Sequence, residues 1–119
     1  MDTIRVKKYQ ERLLTRRGEI LKTLSHLQEQ SQEFIGRRHL DWLDQAWDES
    51  ETRLLDRLSD EYARELRRVE MALGRVSAGT YGRCPACHEP IGRARLDIFP
   101  ETEFCLPCQE MRERFEKAA

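Results

Sequence analysis

Apolar residues recur at every seventh position along the first third of the chain: Val6, Leu13, Ile20, Leu27 and Phe34. Leu24 stands in an interleaved column whose other members are Gln10, Arg17 and Ser31. One good column and one weak one make a heptad seam, the pattern of a helix that lays a stripe against a partner helix. The pattern returns in Leu55, Tyr62, Val69 and Val76, with Leu58, Leu66 and Leu73 beside it. No proline precedes Pro85, so ring geometry breaks neither helix. Gly18 costs some helicity without disturbing the pattern. The second seam stops at Ser77-Ala78-Gly79, where Gly79 suits a helix C-terminal cap.

Two seams of matching length joined by a short link at 36–44 predict antiparallel neighbours in one chain. Arms of roughly 33 residues, at about 1.5 Å each, make a stalk about 50 Å long. A dimerising coiled coil is the competing reading; matched seams within one chain favour internal pairing and a monomer. From Thr80 the character changes. All four prolines (Pro85, Pro90, Pro100, Pro107) and Gly82 and Gly92 fall here, and the heptads vanish. A last short helix is expected over Leu106–Lys117, with Met111 and Phe115 four apart on one face. The expected fold is mainly α: a coiled-coil hairpin over 1–78 with its tip at 39–47, then a small knob and C-terminal helix over 79–119.

Charge sharpens the tip. The chain as a whole carries −1, which argues against generic nucleic-acid binding. That average conceals +4 over residues 1–38, −5 over 39–51, +2 over 52–83 and −2 over 84–119. Asp41, Asp44, Asp48, Glu49 and Glu51 crowd the tip without a Lys or Arg, together with both tryptophans, Trp42 and Trp47. Capping explains part of this. Asp41 or Asp44 would accept from the first amides of the second helix, and the acids after them favour its positive end. The first residues lack the apolar core of a signal peptide, and no run reaches about 18 apolar residues, so a cytoplasmic protein is expected.

The strongest chemical signal is Cys84-Pro-Ala-Cys87, seventeen residues, then Cys105-Leu-Pro-Cys108. Each Cys-x-x-Cys turn points two thiolates at one centre, and two such turns complete a tetrahedron. One structural zinc ion fits, with no position left open for water; iron in the same cage and a thiol switch are the alternatives. His88 follows Cys87 and reads as a solvent-facing residue of the turn rather than a ligand. His26, His39 and His88 show no triad-like placement, and no Gly-rich phosphate loop occurs, so no enzyme is expected.

Together, Asp41-x-x-Asp44-x-Ala46 at a hairpin tip, Tyr81-Gly82-x-Cys84-x-x-Cys87 and the second Cys-x-x-Cys resemble the DksA/TraR family of bacterial zinc-finger transcription factors. Ile91, Gly92, Arg95, Leu96 and Pro100 extend the resemblance over nearly the whole chain. It implies RNA polymerase as partner, reached through the secondary channel without sequence-specific DNA binding. It places Asp41 and Asp44 near the catalytic centre, with Ala46 setting the tip packing. Departures matter too. A glycine common in the family after the second cysteine is His88 here. Of the positions that serve guanosine tetraphosphate in DksA, the arm position keeps its charge as Arg68. The two knob positions are the uncharged Phe99 and Gln109. Phosphate recognition leans on Lys and Arg donors, so weak or no dependence on that nucleotide is expected. Arg95 is a candidate polymerase contact or a structural residue beside the knuckle. Two other readings stay open: a zinc-ribbon adaptor for another protein, and a thiol redox sensor.

Overall fold

The structure, a computed structural model, describes residues 2–40 and 49–118. Four helices follow in order: α1 (Thr3–Leu40), α2 (Glu49–Ala78), α3 (Arg93–Ile98) and α4 (Leu106–Ala118). Among the described residues the only strand-like pairing is an isolated antiparallel bridge between Arg83 and Pro90. The mainly α expectation therefore holds. No described helix is long and apolar enough to cross a membrane.

The helix bounds depart from expectation in two places. The link was expected at 36–44, yet α1 runs through Gly36 to Leu40. One glycine costs a helix only about 1 kcal/mol, which a long arm absorbs. The expected tip at 39–47 lies almost wholly outside the described residues, and with it Asp41, Asp44 and Ala46. In the knob, α3 was not foreseen, because six residues are too few to show a period.

The chain packs as two compact units, residues 17–67 and residues 1–16 with 68–119. In the first, Ile20 and Leu27 are buried and Leu24, Leu55, Leu58, Tyr62 and Leu66 half-buried. The heptad column is thus the seam. Of its members in the second unit, Leu13 and Val69 are fully buried and Val6 and Val76 half-buried. Each side chain of this size taken from water contributes about 1.5–3 kcal/mol.

The second unit holds the knob. Its core is Tyr9, Leu13, Val69, Ala72, Tyr81, Cys84, Ile91 and Leu96. Two members escaped the pattern. Tyr9 lies three after Val6 and four before Leu13, so it occupies the seam beside the weak column. Ala72 is buried where the neighbouring Leu73 is only half-buried. The helix α2 ends as expected at Gly79, whose φ of 76° is left-handed. The Thr80 N–H donates to the Arg75 carbonyl at 3.0 Å and the Gly79 N–H to the Val76 carbonyl at 3.2 Å. This paired closure satisfies carbonyls the helix leaves open. Met111 and Phe115 do share a side of α4, but that side faces solvent.

Candidate metal centre and the groove beside it

Backbone hydrogen bonds fold the first knuckle before any metal is considered. The His88 N–H donates to the Cys84 carbonyl and the Cys84 N–H to the Glu89 carbonyl, both at 2.9 Å. The Ile91 N–H donates to the Gly82 carbonyl at 2.7 Å. Closing so tight a loop requires left-handed backbone at Gly82 (φ 85°) and at His88 (φ 63°). Glycine adopts this without cost; histidine does not. The Arg83 guanidinium donates to the His88 carbonyl at 2.8 Å and braces the strained residue. The second knuckle opens α4: the Gln109 N–H donates to the Cys105 carbonyl at 2.9 Å. Pro107 falls in the first helical turn, where a missing N–H goes unneeded.

These loops bring all four sulfurs together, each within 4.8 Å of the others. Cys87 Sγ and Cys105 Sγ stand 3.6 Å apart. Four zinc–sulfur bonds of about 2.3 Å in a tetrahedron put sulfurs ~3.8 Å apart, so the cluster has the right scale. Its protonation chemistry also fits. Burial pushes the Cys84 thiol up, but backbone N–H groups of Cys105, Cys87 and Ala86 outweigh it and bring it down to about 6. Cys108 is pushed up to about 12, first by its hydrogen bond with Cys105 and then by burial. At Cys87 the Glu89 N–H favours thiolate, yet desolvation and the sulfurs of Cys105 and Cys84 leave the thiol raised. Four sulfurs this close cannot all be anionic without a cation among them, and a divalent ion that accepts thiolates meets that need. Cys84 is fully buried while Cys87 is exposed.

The remaining contacts lock the knob to its surroundings within the same unit. Tyr81 Oη donates to the Pro100 carbonyl at 2.8 Å, and burial raises its pKa well above the ordinary value. The Tyr9 and Tyr81 rings lie 5.8 Å apart. Arg75 donates to the carbonyls of Glu101 and Thr102, and Arg95 Nε donates to the Phe104 carbonyl at 3.1 Å. Arg95 thus holds the chain just before Cys105.

Beside the cage lies an open groove of about 630 Å³ between α2, the loop after α3, and α4. Arg68, Arg95, Phe99 and Gln109, which the sequence comparison of motifs singled out, all line it. Arg75 lines it as well, its guanidinium turned not to solvent but onto carbonyls 26 and 27 positions away.

Fold and site define a helical protein built on a four-cysteine zinc finger. Residues 79–114 match the prokaryotic dksA/traR C4-type zinc finger. The chain belongs to the DksA/TraR family. It is 34% identical over 113 residues to the RNA polymerase-binding transcription factor DksA of Caulobacter vibrioides, covering 92% of this chain and 76% of that protein. The factor of the same name from Escherichia coli K12 is 30% identical over 101 residues, covering 85% of this chain and 64% of that protein. Transcription factor DksA2 from Pseudomonas aeruginosa superposes with a TM-score of 0.86 at 27% identity, over 98% of this chain and 89% of that one. Finger type and sulfur cluster together indicate one structural zinc ion, and the hairpin fold class holds.

Proposed function

We propose that this chain is a transcription regulator that binds RNA polymerase and has no catalysis of its own. It works in the cytoplasm, passes its hairpin tip into the polymerase secondary channel, and alters promoter complexes there. Asp41 and Asp44 carry the effect, Ala46 shapes the tip, and Cys84, Cys87, Cys105 and Cys108 hold the zinc. The observation that carries the reading is the 34% identity, across most of both chains, to a factor named for polymerase binding. A helical arm supports it, because at about 1.5 Å per residue it delivers carboxylates deeper than a globular surface can.

Dependence on guanosine tetraphosphate is weak or absent in this reading. Arg68 shares its groove with Phe99 and Gln109, where phosphate would require cations, and with five carboxylates. The decisive experiment is Asp44→Asn in a purified transcription assay. The expected result is loss of regulation with polymerase binding and fold retained. A folded variant that binds polymerase and regulates normally overturns the assignment; since asparagine caps a helix as well as aspartate does, lost capping cannot account for the expected effect. A large gain on adding the nucleotide overturns the second part.

A further inference from the structure

We infer that Arg75 is a positioning residue of the zinc cage: from the last turn of α2 it holds the loop that brings Cys105 and the start of α4 up to the first knuckle. The two halves of the cage are built differently. The first knuckle closes on its own backbone, through the N–H groups of Cys84, His88 and Ile91. The loop over residues 99–105 has little of this kind. Inside it the Thr102 N–H donates to the Phe99 carbonyl at 3.1 Å, and no other backbone pair joins its residues to one another among the described residues.

Its carbonyls turn to side chains instead. Tyr81 Oη donates to that of Pro100 at 2.8 Å. Arg75 Nη2 donates to those of Glu101 at 3.4 Å and Thr102 at 3.3 Å. Arg95 Nε and Thr102 Oγ1 donate to that of Phe104, at 3.1 Å and 3.2 Å. A carbonyl withdrawn from water needs a donor, so these side chains fix the path of the chain. Tyr81 holds the entry of the loop and Arg95 its exit. Arg75 alone reaches the middle from α2, one nitrogen bridging two successive carbonyls. Burial lowers its pKa, with the Glu103 carboxylate acting in the opposite sense, so the contact is partly screened from competing water.

The metal depends on what this loop delivers. The Cys105 N–H bonds to the Cys84 sulfur, and Cys105 Sγ stands 3.6 Å from Cys87 Sγ. A displaced loop therefore moves one zinc ligand and withdraws an N–H from another. Loss of a group that orients metal ligands without touching the metal costs about 10–100-fold in affinity.

The test follows zinc passing from the zinc-loaded chain to a chromogenic chelator. Arg75→Met keeps the apolar stem and removes the donors; Arg75→Gln is too short to span both carbonyls. Each is expected to release zinc about tenfold faster than the native protein. Arg75→Lys, which restores charge and donors on a shorter side chain, should recover part of the difference. Leu27→Ala is the control: it opens the buried seam in the other compact unit and should release zinc at the native rate. Native release rates in Arg75→Met and Arg75→Gln overturn the proposal. So does an acceleration in Leu27→Ala as large as theirs, since release would then follow global stability. Should Arg75→Met not fold, Arg75→Gln decides alone. None of these outcomes bears on the polymerase reading.

Discussion

Tyr9, on the first helix, donates its phenol proton to the Asp97 carboxylate of α3 across 2.5 Å. The two are 88 positions apart, and the bond ties the start of the chain to the knob. The distance is that of a charge-assisted O–H···O⁻ bond, the stronger kind. Tyr9→Phe keeps the ring packed against Tyr81 and removes only this bond. Bonds to charged groups contribute about 1.5–3 kcal/mol when buried; with Asp97 at the surface, a loss near the lower figure is expected in urea denaturation. Asp97→Ala should cost a similar amount, and the double variant no more than either alone.

Alkaline pH should weaken the fold through two phenols. Burial raises the pKa of Tyr9, with the Asp97 bond and charge adding to it, and burial likewise raises Tyr81. Both depart from an ordinary value of 10.0. Below that pH both tyrosines are neutral in either state and their contribution is whole. Above it the unfolded chain ionises while the folded one resists, so stability falls as pH rises. Urea midpoints should hold steady from neutral pH and decline beyond about pH 10. Tyr81→Phe should start lower, having lost its bond to Pro100, and show a flatter decline.

Zinc removal should unfold the knob. Metal binding energy is folding energy in a unit of this size. Elemental analysis should give one zinc per chain, falling with Cys84→Ser, and a strong chelator should remove both the metal and the protection of the Ile91 and Leu96 amides from hydrogen exchange. Persistence of that protection in the metal-free protein would refute a structural role.

His88→Gly should stabilise the chain. A non-glycine residue in the left-handed region costs about 1 kcal/mol or more, and the His88 φ of 63° lies there. Its side chain is exposed and has no hydrogen bond among the described residues. A rise of about 1 kcal/mol is expected in thermal or urea unfolding of the zinc-loaded protein, with His88→Ala giving none of it.

Patterns repeated along the chain were the legible part of the fold. Leu13, Ile20 and Val69 were placed correctly because a seam repeats its signal every seven residues. The cysteines were legible because two short turns carry the whole geometry of a tetrahedral site. Tyr9 was missed because a polar-tipped ring at a seam position does not stand out from solvated neighbours. Arg75 and Arg95 act through backbone carbonyls, and a carbonyl has no signature in a sequence. The groove is the same kind of feature, since Arg68, Phe99 and Gln109 meet only after the loop beyond α3 has been folded back.

The unequal burial of the four sulfurs gives the metal cage a direction. Cys84 is walled in by the core, whereas Cys87 lies open to water. Oxidants, chelators and competing ions in the surrounding fluid therefore meet Cys87 first and Cys84 last, and a bound zinc ion would be held on its sheltered side by Cys84.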